Sequence, residues 1–127
     1  MIVGATQLEQ ELMALDGRSM PVQRHQQPDG WTFLVFTAYS FPPCYSRSTG
    51  ELMLKIPPPY PAAALDMFWT NPDLRLADGR IPTNTSIENV LGREWLRFSW
   101  HPSTWRPGRD NLTTYLCFVE RRLGACN

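Results

Sequence analysis

The sequence predicts an α+β fold, a four-stranded antiparallel meander packed against an N-terminal and a C-terminal helix. Apolar residues at helical spacing open and close the chain, and between them lie short segments rich in β-branched and aromatic residues. The segments follow one another through short connections that carry turn residues, the pattern of strands paired with their sequence neighbours. With 127 residues, 43% of them hydrophobic, the chain can bury a core without staples, so residues 1–127 read as a single domain. No repeat or linker divides it.

Thr6-Gln7-Leu8-Glu9 has the form of a capping box, and Leu8, Leu12 and Leu15 follow on one helical face before Gly17. After a weak segment over 20–25, Gln27-Pro28-Asp29-Gly30 carries strong turn chemistry and residues 31–39 are dense in aromatic and β-branched side chains, which together predict a hairpin. Residues 41–50 form a Pro/Ser/Gly loop, and Leu52, Leu54 and Ile56 alternate on one face of a third strand. Pro57-Pro58-Pro59-Tyr60-Pro61 cannot enter a helix or a central strand, because each proline lacks an N–H and fixes φ. Residues 65–70 give the fourth strand, ended by Asn71-Pro72-Asp73. From 74 to 107 the pattern is mostly irregular, with a short helix expected over 86–91, capped by Ser86 and stopped by Gly92. Asp110 caps the closing helix over 111–123, whose expected buried stripe is Leu112, Leu116, Val119 and Leu123.

Twelve Lys and Arg balance twelve Asp and Glu, which removes the electrostatic footprint of a general nucleic-acid binder. No window approaches the ~18 apolar residues of a membrane span, and the segment MIVGATQLEQELMAL has neither a basic lead nor the apolar core of a secretion signal. A cytoplasmic protein without membrane or nucleic-acid partners is expected. Cys44, Cys117 and Cys126 are odd in number and lack metal-ligand spacing, and His25 and His101 are the only histidines, so neither a disulfide framework nor a zinc site nor a cofactor is expected.

Proline is the compositional oddity, with twelve residues in clusters. Their order resembles that of the ubiquitin-conjugating (E2) superfamily: a strand, a Pro-rich Tyr-Pro segment, a further strand, an HPN-type tripeptide, the active site, and Trp-x-Pro before a helix. Here the steps read 52–56, Pro57-Pro58-Pro59-Tyr60-Pro61, 65–70, Asn71-Pro72-Asp73, Gly79-Arg80-Ile81, Trp105-Arg106-Pro107 and 110–123. The resemblance spans nearly the whole chain and is greatest to the divergent bacterial group called prokaryotic E2 family E. It implies a UBC-like fold and acyl transfer: the C-terminal carboxyl of a ubiquitin-like protein passes from an E1-like activating enzyme to this domain and then to an amine. The implied partners are the ubiquitin-like protein and the activating enzyme.

Two departures shape the expected chemistry. The family's tripeptide places an oxyanion-stabilising Asn where this chain has Asp73, and an ionised carboxylate cannot donate a hydrogen bond. The family's cysteine follows in a Gly-x-Ile-Cys run, but this sequence reads Gly79-Arg80-Ile81-Pro82, and no cysteine lies between Cys44 and Cys117. Three routes stay open. A hydroxyl of Thr83, Thr85, Ser86 or Ser99 can replace the thiol and form an oxyester, with His101 as its base because imidazole titrates near neutral pH. Cys44 can supply a thiol from a loop that is usually remote from this site, or the domain can act as a scaffold without covalent chemistry.

Each of these residues also has an ordinary reading. Asp73 fits a turn cap, His101 fits a part-buried residue bonded to backbone, and residues 83–86 fit a plain loop. Arg93, Arg97, Arg106 and Arg109 form a loose basic group suited to an acidic partner or to solvent. Trp95 and Trp100 are the two tryptophans expected at the surface, where they would suit a ligand-binding module. Cys117 is expected to be part-buried and inert, and Cys126 to fray.

Overall fold

The computed structural model describes residues 6–17 and 20–127 and is built from two helices and one antiparallel sheet. Helix α1 spans Gln7–Gly17. The Thr6 hydroxyl caps it by accepting from the Glu9 N–H at 3.1 Å, and Leu12 and Leu15 are its buried face. Strands β1 (Val22–Gln26) and β2 (Thr32–Ser40) form the expected hairpin, in register from Val22↔Phe36 to Gln26↔Thr32. Its turn has Gly30 at φ 94, with the Asp29 carboxylate accepting from the Trp31 N–H at 3.1 Å. Strand β3 spans Thr49–Ile56 and β4 Phe68–Thr70.

The expected meander of four strands is extended by two more. Where the sequence predicts a short helix over 86–91, the chain forms strand β5 (Thr85–Val90), which pairs with β6 (Arg93–Phe98), and the sheet order is β1-β2-β3-β4-β6-β5. Leu91 and Gly92 take φ 55 and 75 between the paired Val90 and Arg93, the left-handed pair that closes a tight hairpin. Gly92 therefore turns a hairpin and does not stop a helix. The long irregular stretch contracts accordingly, because β6 docks on β4 with Phe68 stacked on Phe98 at 4.6 Å.

Helix α2 spans Leu112–Gly124, and its cap is Asn111 where Asp110 was expected. Asn111 Oδ1 accepts from the Thr114 N–H at 3.0 Å and Thr114 Oγ1 accepts from the Asn111 N–H at 2.9 Å, a reciprocal pair that an acidic residue one place earlier cannot make. The Asp110 carboxylate instead holds the turn before the helix by accepting from the Arg106 N–H at 2.7 Å. The buried stripe is Leu112, Tyr115, Val119 and Leu123, with Leu116 only half-buried at its margin.

Both faces of the sheet are apolar. On one face, Leu34, Phe36, Leu52, Leu54, Phe68, Leu96 and Phe98 pack with both helices in the main core. On the other, Val35, Met53, Trp69, Val90 and Trp95 make a second cluster, screened by long cations: Lys55 Nζ lies 4.4 Å from the Trp69 ring centre and Arg93 Cζ 3.9 Å from that of Trp95. Trp95, expected at the surface, is buried here and donates from Nε1 to the Val90 carbonyl at 3.0 Å. The Pro-rich segment leaves β3 as a tight turn with a cis Tyr60-Pro61 bond. The Tyr60 hydroxyl donates to Glu11 and accepts from the Leu112 N–H at 2.7 Å, while Glu11 Oε2 also accepts from that N–H at 3.0 Å. Trp105 seals the turn by donating to the Pro61 carbonyl at 2.9 Å.

The outer face also carries a charge cluster. The Glu88 carboxylate accepts from Trp69 Nε1 at 2.8 Å, Arg97 at 2.9 Å and Lys55 at 3.3 Å. Desolvation pushes its pKa up, but the tryptophan donor and the two cations outweigh it and hold the carboxyl below the usual glutamate value. A depressed folded pKa contributes stability that is present above the unfolded value, about 4.3, and is lost as the pH falls through the folded one. Glu88→Gln is expected to lower unfolding free energy by about 1–2 kcal/mol at neutral pH. The gap should close as wild type is titrated below pH ~4, which denaturant melts across the acid range will check.

Candidate active site

Between β4 and β5 the chain makes the turn 71–74, then passes through the segment 75–84 that holds the slot where the sequence lacks its cysteine. Asn71 Oδ1 accepts from the Glu51 N–H at 2.7 Å, and its Nδ2 donates to the Glu51 carboxylate at 3.3 Å. The first tripeptide residue thus clamps the turn onto β3. Gly50 is required beside it, because a Cβ there would lie 2.3 Å from Asn71 Oδ1 and 2.9 Å from the Phe41 ring. Asp73 is exposed and pairs with Arg47 at 3.1 Å, an anchored carboxylate on the rim of the turn.

The slot segment is zipped to the loop 42–46. Ser46 N–H donates to the Arg75 carbonyl at 2.7 Å, Tyr45 bridges Leu76, and Ala77 N–H donates to the Cys44 carbonyl at 2.7 Å. Beyond this zip, Gly79 turns at φ 91. The Asp78 carboxylate accepts from the Arg80 N–H at 3.0 Å and from its guanidinium at 2.6 Å, and these donors hold its pKa below the usual value. Ile81 points outward with 64% of its surface exposed, whereas Pro82, at the nucleophile's position, is buried.

At its far end the segment meets α2. Thr83 N–H donates to the Asn127 carbonyl at 3.3 Å, and Trp100 Nε1 donates to the Thr83 carbonyl at 3.1 Å. Arg122 stacks on the Trp100 ring at 3.8 Å and donates to the Asn127 carbonyl at 3.2 Å. Cys126 is joined to Cys44 by a disulfide with Cα atoms 5.9 Å apart, overturning the expectation of unpaired cysteines and a frayed Cys126. Cys44 is also not remote, because its loop lies directly on the slot segment. Cys117, expected part-buried, is free and exposed on α2.

The expected site residues separate. The Thr85 hydroxyl donates to the Pro82 carbonyl at 2.7 Å, and the Ser99 hydroxyl, half-buried, accepts from Arg97 at 3.3 Å. Ser86 is exposed on edge strand β5. Thr83 is exposed beside the slot, and no described hydrogen bond engages its hydroxyl. His101 is exposed and lies 3.7 Å from Asp66, and no described hydrogen bond joins it to any of the four hydroxyls. Trp100 stacks with Arg122 and uses its N–H internally, and Trp95 is buried, so the pair does not make an open aromatic platform. The loose basic group divides in the same way: Arg93 pairs with Glu51 and Arg97 with Glu88, leaving Arg106 and Arg109 exposed. Cys126, Arg122 and Asn127 were missing from the expected site, and only the folded course of α2 brings them there.

A strand, a cis Tyr-Pro turn, a clamped tripeptide, a buried slot and a closing helix, in this order around one sheet, define an E2-like domain. The sequence model of prokaryotic E2 family E matches residues 8–125, and the chain belongs to that family. No curated protein and no solved structure matches it. No described helix is long and apolar enough to cross a membrane.

The two outer tripeptide residues are expected to behave differently on substitution. Asn71→Ala leaves the Glu51 N–H without its partner and should cost about 1–3 kcal/mol. Asp73→Asn removes only an exposed ion pair and should change stability by less than about 1 kcal/mol. Denaturant unfolding of both variants is the check.

Proposed function

We propose that this chain is the E2-like acyl carrier of a bacterial ubiquitin-like conjugation pathway. It receives the C-terminal carboxyl of a ubiquitin-like protein from an E1-like activating enzyme and passes it to an amine. The observation that supports this reading is the form of the slot. Its loop keeps an exposed position between β4 and β5, with Ile81 outward, yet buries Pro82 where the thiol belongs. The acceptor is therefore a neighbour on the rim. Among the hydroxyls Thr83 fits an oxyester best, since Thr85 and Ser99 are already bonded and Ser86 belongs to the edge strand.

A hydroxyl needs a base to attack a carbonyl at neutral pH. His101 is turned to Asp66, and both nearby sulfurs are tied up in a disulfide. These facts favour a second reading for the oxidised protein, in which it holds the ubiquitin-like protein or the activating enzyme without a covalent bond. Asp73 cannot donate to an oxyanion in either reading, and as the partner of Arg47 it shapes the turn.

Intact-mass analysis after incubation with the activating enzyme, the ubiquitin-like protein and ATP tests the carrier. The expected product is a one-to-one adduct that gains the mass of the ubiquitin-like protein less one water and is discharged by an added amine. Binding of the ubiquitin-like protein with no adduct in any redox state would leave the scaffold reading in its place.

A further inference from the structure

The disulfide brackets the slot. One end of segment 77–83 is bonded to the Cys44 carbonyl through Ala77, and the other end, through Thr83, to Asn127, the residue after Cys126. The bridge thus joins the loop that holds Ala77 to the tail that holds Thr83, although its cysteines are 82 residues apart in the chain. Both cysteines are only half-buried.

Resting on the carrier reading above, we propose that reduction of the Cys44–Cys126 disulfide creates the acyl acceptor, with Cys44 as the nucleophile and Cys126 as the partner that masks it. A thiol needs less activation than a hydroxyl, because an appreciable thiolate fraction exists near neutral pH. Cys44 is the better acceptor of the two. It sits in the turn 42–45, where the Tyr45 N–H donates to the Pro42 carbonyl at 3.1 Å, whereas Cys126 follows α2 at the end where helix carbonyls disfavour an anion. Cys126 is also held at φ 58, a left-handed conformation that glycine or asparagine usually fills after a helix. Breaking the bridge removes a covalent constraint on that conformation and lets the 125–127 turn leave Thr83.

The steps balance. A dithiol reductant gives two electrons and two protons to the Cys44–Cys126 bond, yielding two thiols and its own disulfide. The Cys44 thiolate then attacks the carbonyl carbon of the activating enzyme's acyl thioester. A new C–S bond forms at Cys44, the C–S bond to the enzyme breaks, and the leaving thiolate takes up the proton that Cys44 released. An amine finally attacks the same carbon, a C–N bond forms, and the Cys44 thiolate leaves and recovers a proton from the amine.

The test compares oxidised protein with protein reduced by a water-soluble phosphine, which opens the bridge without cleaving thioesters as a thiol would. Each form is incubated with activating enzyme, ubiquitin-like protein and ATP, and read by intact mass. Reduction is expected to raise the adduct at least tenfold, and added thiol to cleave it. Cys126→Ala should form the adduct with no reductant, and Cys44→Ala should form none. Because Cys126→Ala frees the same thiol by another route, a folding defect in Cys44→Ala does not decide the matter. An adduct independent of reduction, or one that persists in Cys44→Ala, overturns the thiol switch. If that adduct resists thiol and is lost in Thr83→Ala, the carrier reading stands on an oxyester. No adduct from any form, with binding of the ubiquitin-like protein intact, overturns both.

Discussion

The position of the closing helix depends on one hydroxyl. Tyr60, set by the proline turn, donates to Glu11 of α1 and accepts from the Leu112 N–H, while the Glu11 carboxylate accepts from the same N–H. Three segments far apart in sequence thus meet at the first turn of α2, where unpaired N–H groups and the helix dipole favour an anion. Burial, the Glu11 hydrogen bond and the Glu11 charge push the Tyr60 pKa far up, so the phenol stays protonated and keeps donating. Trp105 packs between Tyr60 and Tyr115 and covers the contact from outside.

With its start anchored there, α2 runs against the sheet through Leu112, Tyr115, Val119 and Leu123 and delivers its last turn to the slot. Arg122, Cys126 and Asn127 arrive beside Trp100, Cys44 and Thr83 as a consequence. The prolines that give the sequence its unusual composition act at both ends of this path. Pro57, Pro58, Pro59 and Pro61 shape the turn that presents Tyr60, and Pro82 fills the slot that α2 reaches. The domain belongs to an E2 family and carries a disulfide between two segments that border the slot.

The sequence was most legible where local chemistry and burial agree. The hairpin follows from Asp29-Gly30 between strand-forming runs, and the alternation of Leu52, Leu54 and Ile56 matches their burial in β3. It misled at 86–91, where a serine, an apolar residue and a glycine mimic a capped helix; Leu91-Gly92 instead closes a hairpin whose second strand pairs with β4 through Leu96, Arg97 and Phe98 and buries Trp95, Leu96 and Phe98. Of the expected site, the residues Gly79, Pro82 and Thr83 were legible as a stretch without helix, and they lie in the connection between β4 and β5. The pairing of Cys44 with Cys126 had no local signal, because it is produced by the course of α2 and by the zip between 42–46 and 75–77. His101 illustrates the opposite error: nearness in sequence to Ser99 did not make it a partner, and it faces Asp66.

On the proposed reading, the ubiquitin-like protein is handled at the rim where the segment 76–84, the loop 42–46 and the residues 122–127 meet. Backbone amide chemical-shift mapping during titration with the ubiquitin-like protein tests it most directly, since it requires no turnover. The largest changes are expected to cluster on those three segments. Changes confined to the outer sheet face around Phe33, Lys55 and Arg93, with the rim silent, would contradict it.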